Sequence, residues 1–368
     1  MIYLDNASTT RISDKAKEAM MSVYDDFWAN PSSIHTLGQR AKSLLEASRK
    51  KIADILGVNS NEIYFTSGGS ESNSQVLFTM NYNNFKVAVS KIEHHSILNS
   101  VYDLGNYGLI DVDSEGIVLL DNIHKEIRNG ALFISVMCAN NEIGTIQPID
   151  DIAHLCHGSG IMFHTDATQA IGHIPINFRY IDYLSLSAHK FNGPKGIGIL
   201  YAKKGVLLSS FIKGGSQERE KRAGTENIPA VVGMAVALEE AYNNMTERNK
   251  KTTMLRDRLF NGIKDIPDII VNGSLSNRLS CNLNVWFEGC DSESLLMLLN
   301  ERGICASAGS ACMAMNKSGS YVVLSLDGDF QRATQSLRFS LSHENSELEI
   351  DQAIIKIKEA VKYLRKRP

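Results

Sequence analysis

The chain reads SLSAHKFNGPKG over residues 185–196, which places Lys190 between an apolar, strand-like run and a loop of glycine and proline. Earlier in the chain, residues 164–169 read HTDATQ and contain Asp166. A lysine in such a position is suited to bond with an aldehyde, and an aspartate on a neighbouring strand is suited to pair with a pyridinium nitrogen. Proteins use these two groups to hold and tune pyridoxal phosphate (PLP). The two stretches therefore indicate a PLP site and an enzyme that acts on amino acids.

Strand-like and helical segments alternate around these two stretches. Short runs rich in β-forming residues predict strands at 62–66, 85–90, 131–137, 161–164, 182–187 and 196–201. Apolar residues at helical spacing predict helices over 14–24 and 36–56, the second of which ends at Gly57. Such alternation favours a mainly parallel sheet that is covered by helices on both faces.

The C-terminal third follows a different pattern. Its segments are strand-like at 279–287 and 335–341 and helical at 292–302 and 346–366. They predict a smaller α+β unit. Because a boundary is expected inside the helical stretch 227–262, we predict a large PLP-binding domain over 14–256 and a small domain over 1–13 plus 257–368.

The composition is that of an ordinary soluble globular protein. Of 368 residues, 43% are hydrophobic and 21% are charged, and the net charge is −3. This balance gives no reason to expect direct contact with nucleic acid or an anionic membrane. The N-terminus lacks the basic and apolar regions of a secretory signal, and no apolar run is long enough to span a membrane. The six cysteines contain no CxxC pair, so we expect reduced thiols in the cytoplasm.

Two further stretches suit the same cofactor. Residues 66–73 read TSGGSESN, directly after a strand-like run and before a helical one. Glycines there let the backbone approach a phosphate closely, and a helix N-terminus offers free amides. Residues 93–96 read EHHS, where His94 would supply a flat cover for the ring. Each signal alone has an ordinary alternative, because such turns are common, a single histidine is more often structural, and Asp166 would also serve as a helix cap.

Taken together, the ordered motifs resemble those of the cysteine desulfurase family (the NifS/IscS group), which belongs to the class V, fold-type I PLP enzymes. The matching segments run nearly from end to end: YLDNASTT at 3–10, NPSSIH at 30–35, FTSGGSES at 65–72, EHH at 93–95, NNEIG at 140–144, HTDATQ at 164–169, SAHK at 187–190, RAGTEN at 222–227, SAGSAC at 307–312 and RFS at 338–340. The resemblance implies an α/β fold of the fold-type I PLP-dependent transferases. It also implies a large domain built on a mainly parallel seven-stranded sheet and a smaller α+β C-terminal domain.

The resemblance further implies roles at the ring of the cofactor. Lys190 would be the Schiff-base lysine and would move the substrate proton. His94 would stack on the ring and assist proton transfer. Asp166 would pair with the pyridinium nitrogen, and Gln169 would reach the phenolic oxygen.

Other residues would hold the phosphate and the substrate. The expected phosphate ligands are Gly69, Ser70, Ser187 and His189. Thr225 is expected to reach the phosphate of the partner subunit, which implies a homodimer. Asn141, which would also contact the cofactor, and Arg338 are expected to grip the substrate carboxylate, because arginine offers it a two-pronged match.

Cys312 is the predicted nucleophile. It lies in a stretch rich in glycine, serine and alanine, and its thiolate would attack the substrate sulfur and keep it as a persulfide. Cys305, seven residues earlier, would be a bystander or a second thiol, and we favour the bystander. Three more cysteines are expected to be small buried hydrophobes: Cys138, Cys156 and Cys281.

The predicted function is therefore the removal of sulfur from L-cysteine, which yields L-alanine and a Cys312 persulfide for an unidentified protein acceptor. Iron–sulfur cluster assembly, tRNA thiolation and cofactor biosynthesis all stay open as destinations of the sulfur. A selenocysteine lyase is the nearest alternative, and an aminotransferase would have no need of Cys312. A non-catalytic sulfur-relay or scaffold protein would have no need of Lys190 and Asp166, and a metal site at His94 and His95 lacks ligand spacing.

Overall fold

A computed structural model of the protein describes residues 1–309 and 319–366. Its helices are α1 (Asp14–Asp26), α2 (Thr36–Leu56), α3 (Gly69–Tyr82), α4 (His95–Tyr102), α5 (Leu120–Arg128), α6 (Ile149–Gly158), α7 (Gln217–Glu220), α8 (Ile228–Asn243), α9 (Met245–Ile263), α10 (Ser292–Glu301), α11 (Tyr321–Asp327), α12 (Phe330–Thr334) and α13 (Glu347–Arg365). Its strands are β1 (Ile2–Tyr3), β2 (Ile63–Thr66), β3 (Val87–Ser90), β4 (Tyr107–Ile110), β5 (Phe133–Ser135), β6 (Met162–Asp166), β7 (Tyr183–Ser187), β8 (Gly198–Ala202), β9 (Ile269–Val271), β10 (Asn282–Phe287), β11 (Ile304–Cys305) and β12 (Ser336–Ser340).

The larger sheet has the strand order β2-β8-β7-β6-β5-β3-β4. Neighbouring strands from β7 to β4 are parallel, whereas β8 runs antiparallel to both β2 and β7. The predicted α/β fold with a mainly parallel seven-stranded sheet is thus confirmed. The strands predicted from the sequence correspond to every member of this sheet except β4, an edge strand with a single fully buried residue.

Alternate residues of the central strands enter two different cores. Val87 and Val89 of β3 pack with apolar residues of α3 and α4, whereas Ala88 packs with residues of α2, α6 and α8 on the opposite face. Successive side chains of a strand point to opposite faces, so a sheet covered on both faces favours apolar residues at consecutive positions. This explains why β3 and β8 read as nearly continuous apolar runs, whereas β6 and β7 also bury polar residues near the cavity.

Helix α2 shows how local sequence sets the ends of an element. The side chain of His35 accepts a hydrogen bond from the backbone N–H of Gly38 and so caps the N-terminus. Gly57 adopts a left-handed conformation (φ 71°) directly after the last helical residue, a position where glycine carries no steric penalty. The helix predicted over 36–56 with a stop at Gly57 is confirmed.

A smaller antiparallel sheet has the order β12-β10-β9. It shares a separate core with α9, α10 and α13, and this core includes Ile2 and Leu4 from the start of the chain. Strand β1 pairs in parallel with β11, which brings the N-terminus against the C-terminal third. The exact division into 14–256 and the remainder stays a prediction.

The helical stretch predicted over 227–262 consists of two helices. Asn244, which lies between α8 and α9, leaves the helical conformation (φ −109°, ψ 9°), and its side chain donates a hydrogen bond to the carbonyl oxygen of Glu240. The same oxygen also accepts the backbone N–H of Asn244, so both bonds hold the turn at the end of α8. Across the described residues, no helix has the length and apolar character needed to cross a membrane.

Candidate active site

A cavity of about 250 Å³ lies where β6 and β7 end. In open α/β sheets, ligands bind at the carboxyl ends of the strands. The predicted site residues that line this cavity are Gly69, Ser70, His94, Asn141, Asp166, Gln169, Ser187, His189, Lys190 and Arg338. Thr225 is exposed and does not line it, and Cys312 lies outside the described residues.

Lys190 reaches the cavity from a short 3-10 turn, Ala188–Lys190, that follows β7. Its Nζ donates hydrogen bonds to the carbonyl oxygens of Ala7 (2.6 Å) and Ser8 (2.9 Å). Gln169 Nε2 donates to the same Ala7 oxygen at 2.9 Å. The N-terminal segment, which packs on the smaller sheet, therefore positions both side chains.

Asp166 is the last residue of β6, and only 5% of it is exposed. Its Oδ2 accepts a hydrogen bond from Asn73 Nδ2 at 2.7 Å, and its Oδ1 accepts one from the backbone N–H of Thr168 at 2.8 Å. Both oxygens therefore act as acceptors. A buried acceptor of this kind is suited to bind the N–H of a pyridinium ring.

His94 is the N-cap residue of α4 and lines the cavity. Its Nδ1 accepts the backbone N–H of Ser96 at 3.1 Å. Burial lowers the pKa of His94, nearby Asp166 partly opposes this, and Lys190 lowers it further. The imidazole is therefore expected to be neutral at neutral pH, and a neutral ring is suited to stack on an aromatic ligand.

The turn between β2 and α3 forms a tight cradle beside the end of β7. The backbone N–H of Gly69 donates to Ser187 Oγ at 2.6 Å. A Cβ atom at Gly69 would lie 2.8 Å from Thr168 Oγ1 and 3.2 Å from Ser187 Oγ, so a larger residue would crowd the cradle. Ser70 stands in the first turn of α3, where helix amides are unpaired and attract anions.

His189 lies on the same wall of the cavity. Its Nδ1 is 3.1 Å from Thr9 Oγ1. Burial lowers the pKa of His189 to about 4, and the charges of Lys190 and Lys195 contribute. A neutral His189 would contact a phosphate as a hydrogen-bond donor and not as a cation.

Arg338 lies in β12 and is 1% exposed. Its Nη1 donates to the backbone oxygen of Asn141 at 3.0 Å, and its Nη2 donates to Asp5 Oδ1 and Ser8 Oγ, each at 2.7 Å. The guanidinium is therefore oriented by the loop that follows β5 and by the N-terminal segment. A planar guanidinium held in this way is suited to bind a carboxylate.

Unpaired polar atoms show whether PLP would fit. Thr168 Oγ1, Asn141 Oδ1 and Arg338 Nε are buried and have no hydrogen-bond partner among residues 1–309 and 319–366. Buried polar groups are rarely left unpaired, so these atoms mark positions where a ligand would bond. With the cradle and the Asp166 carboxylate, they match a phosphate, a ring N–H and an amino-acid carboxylate. The residues present therefore fit PLP together with an amino acid.

Comparisons with known proteins agree with this geometry. The family model for aminotransferase class-V matches residues 2–353. The chain is 42% identical to cysteine desulfurase IscS of Methanosarcina thermophila, over 99% of this chain and 93% of the relative. The chain belongs to the cysteine desulfurase family. The predicted resemblance is thereby confirmed.

Solved structures support the membership. A NifS-like protein superposes with a TM-score of 0.93 at 34% identity, over 98% of this chain and 99% of that one. SspA, solved in complex with cysteine, superposes with a TM-score of 0.83 at 32% identity, over 94% of this chain and 100% of that one. Members of the cysteine desulfurase family are PLP-dependent enzymes.

None of the five cysteines that the structure describes lines the cavity. Cys138, Cys156 and Cys281 are buried, as predicted. Burial raises the pKa of Cys138 and of Cys156 to about 12 and that of Cys281 to about 11, so these thiols stay protonated. Cys305, on β11, is half-buried and does not line the cavity, which agrees with a bystander.

Several functional candidates in this cysteine desulfurase are absent from the sequence prediction. The side chains of Asn73, Ser96 and Thr168 line the cavity beside the predicted residues. Each lies inside a quoted motif, so its position was visible in the sequence. Its role depends on which side chains surround it, and no local pattern carries that information. Asp5, which pairs with Arg338 at 2.7 Å, was missed for the same reason.

Proposed function

We propose that the protein removes sulfur from L-cysteine, releases L-alanine and holds the sulfur as a persulfide on Cys312. The observation that carries the proposal is the meeting of Lys190, Asp166, His94 and Arg338 in one cavity of a cysteine desulfurase fold. L-cysteine and a thiol would yield L-alanine and a persulfide, so atoms and electrons balance without a further reactant.

The cavity would hold PLP through several groups at once. Lys190 would bind the cofactor covalently, Asp166 would bind the ring N–H and Gln169 the phenolic oxygen. The phosphate would contact the α3 N-terminus and the hydroxyls and imidazole around it, from Gly69, Ser70, Ser187 and His189. When bound, PLP supplies an electron sink that stabilises negative charge on the substrate α-carbon.

The chain's own residues would then bind the substrate and move its protons. Arg338 and Asn141 would hold the substrate carboxylate, and the Arg338 side chain is already oriented by its hydrogen bonds. The Lys190 amine would take the α-proton, and His94 would assist the return of a proton. General acid–base help of this kind contributes about 10²–10⁴-fold.

The sulfur step is assigned to Cys312. Its thiolate would attack the substrate sulfur, so that an S–S bond forms and the C–S bond breaks, with the electron pair left on carbon. A protein acceptor in the cytoplasm would then take the sulfur, and its identity and pathway stay open. The structurally similar SspA has been solved in complex with cysteine, which supports this choice of substrate.

Product analysis tests the proposal. PLP-loaded protein is given L-cysteine with and without dithiothreitol, and L-alanine and sulfide are measured. We expect L-alanine in both cases and sulfide that depends on the reductant. Cys312→Ser should bind PLP normally and lose turnover, whereas Cys305→Ser, the matched control, should keep it. A full rate of sulfide release by Cys312→Ser would refute the nucleophile, and no L-alanine from the PLP-loaded protein would refute the activity.

We also propose that the protein is a homodimer in which Thr225 reaches the PLP phosphate of the other copy. Thr225 is exposed and lies outside the cavity of its own chain, which supports this role. Sedimentation velocity should give a dimer, and Thr225→Ala should bind PLP more weakly without a change in secondary structure. A monomer that binds PLP at full affinity would contradict the proposal.

A further inference from the structure

A bridge of hydrogen bonds connects Asp166 to His94 along the cavity wall. Asn73 Nδ2 lies 2.7 Å from Asp166 Oδ2 and 2.9 Å from Ser96 Oγ. Ser96 Oγ lies 2.8 Å from His94 Nδ1. Two side chains outside the predicted set, Asn73 and Ser96, therefore join the predicted ring-nitrogen ligand to the predicted stacking residue.

The direction of each hydrogen bond in the bridge follows from its chemistry. Both oxygens of Asp166 act as acceptors, since Thr168 N–H is bonded to the second one. An amide nitrogen only donates, so the two N–H groups of Asn73 are directed to Asp166 and Ser96. The Ser96 hydroxyl accepts from Asn73 and is left to donate its own proton to His94 Nδ1.

The backbone adds a second donor to the same ring nitrogen. The N–H of Ser96 donates to His94 Nδ1 at 3.1 Å. With two donors directed at it, Nδ1 carries no proton, and a neutral imidazole then carries its proton on Nε2. His94 would therefore offer an N–H donor to a ligand and would accept a proton at Nδ1 only after the Ser96 hydroxyl rotates.

The cost of the Asn73 orientation supports a functional reason for it. Asn73 is completely buried, and its Oδ1 has no hydrogen-bond partner in the described part of the chain. A buried unpaired acceptor is destabilising. Rotating the amide would bring Oδ1 against the Asp166 carboxylate and would draw the Ser96 hydroxyl proton away from His94 Nδ1, so the fold accepts an unpaired oxygen and keeps both donors in place.

We propose that Asn73 and Ser96 are positioning residues that hold His94 in its Nε2–H tautomer by linking it to Asp166. The proposal deepens the proposed function and rests on it, because it assigns the state in which His94 meets the cofactor and substrate. It predicts which ring nitrogen carries the proton, and this can be measured without turnover.

The direct test is NMR of the PLP-loaded protein with 15N-labelled histidine rings. Long-range ¹H–¹⁵N spectra distinguish the two neutral tautomers, and His94→Gln identifies the His94 signals by their loss. We expect a protonated Nε2 and an unprotonated Nδ1 that accepts hydrogen bonds. A His94 signal from the Nδ1–H tautomer overturns the proposal.

Variants test the bridge itself. The readouts are the tautomer ratio and the exchange of the α-proton of L-alanine with D2O, which needs no sulfur step. Ser96→Ala should raise the Nδ1–H fraction and slow exchange by about 2- to 10-fold, the effect of one neutral hydrogen bond. Ser96→Thr keeps a hydroxyl and should therefore show the tautomer ratio and exchange rate of the unchanged protein. Ser43→Ala is the matched control, because its hydroxyl lies on α2 outside the cavity and donates to the backbone oxygen of Gln39.

A double variant separates one bridge from two independent contacts. Asn73→Leu removes both donated bonds and leaves the Ser96 hydroxyl free to turn away from His94, so adding Ser96→Ala to it should slow exchange by less than Ser96→Ala does alone. Additive losses, or Ser96→Ala with unchanged exchange and tautomer ratio, overturn the proposal. Failure of the proposed function has a different signature, since the expected tautomer would then occur in a protein that releases no L-alanine from L-cysteine.

Discussion

Replacing Arg338 with lysine tests how the substrate carboxylate is held. Arg338 is buried and donates three hydrogen bonds within the protein, which fix the plane of its guanidinium while Nε stays unpaired among the described residues. Lysine keeps the charge and loses the planar fork. The loss of one hydrogen bond to a charged group costs about 1.5–3 kcal/mol. Since about 1.4 kcal/mol corresponds to a factor of ten, KM for L-cysteine should rise by about 10- to 150-fold.

The assay is steady-state L-alanine release by PLP-loaded Arg338→Lys over a wide range of L-cysteine concentrations. A contact made equally in the ground and transition states changes KM and leaves kcat nearly unchanged. Arg258→Lys is the matched control, because Arg258 is an exposed arginine that pairs with Asp351 and Glu347 and does not line the cavity. An unchanged KM in a folded Arg338→Lys protein, or a fall in kcat alone, would refute the carboxylate contact.

Three further predictions concern the cradle, a buried ion pair and pH. Gly69→Ala should weaken PLP binding by about 5- to 150-fold in an absorbance titration, because overpacking costs about 1–3 kcal/mol. Gly158→Ala is the control and should leave PLP affinity unchanged, because a Cβ atom there meets open space. Equal PLP affinities of the two variants would contradict the tight cradle. Arg49→Met should lower the free energy of unfolding in urea by about 3–5 kcal/mol, because it leaves the Glu218 carboxylate buried without its partner. Adding Glu218→Gln should recover part of that loss, and no recovery would exclude charge burial as the cause. Burial lowers the pKa of folded His164 to about 4, so the unfolded chain binds a proton first as the pH falls. The free energy of unfolding should therefore decrease between about pH 6.5 and 4, by up to about 1.4 kcal/mol per pH unit for this residue. His164→Asn should flatten this slope in urea titrations at several pH values, and an unchanged slope would contradict the assignment.

Short-range patterns in the sequence predicted much of the fold. Helix α2 begins and ends where its periodicity and Gly57 indicate, and most strands of the larger sheet lie within the runs of β-forming residues. These features depend on neighbours a few positions away. Strand β4 escaped prediction because it lies at a sheet edge and buries little, so its sequence lacks a clear apolar pattern.

The sequence motifs also predicted most of the residues that line the candidate site. Lys190, Asp166 and Gly69 stand at ends of strands or starts of helices, and parallel strands bring such ends to one edge of a sheet. Their positions at strand ends therefore predict one shared edge of the sheet, and the strand order β2-β8-β7-β6, which the sequence does not give, brings the cradle and the ring-nitrogen ligand together.

The sequence by itself determined the chemistry of this protein, that is, which residue types follow which strands and helices and hence the kind of ligand they suit. The tertiary structure alone decided which groups orient them: Ala7 with Lys190, Asp5 with Arg338, and the Asn73–Ser96 bridge between Asp166 and His94. Periodicity and capping arise from bonds between residues close in the chain. Hydrogen bonds such as that between Arg338 and Asp5, 333 positions apart, arise only when the packing of two cores brings distant segments together.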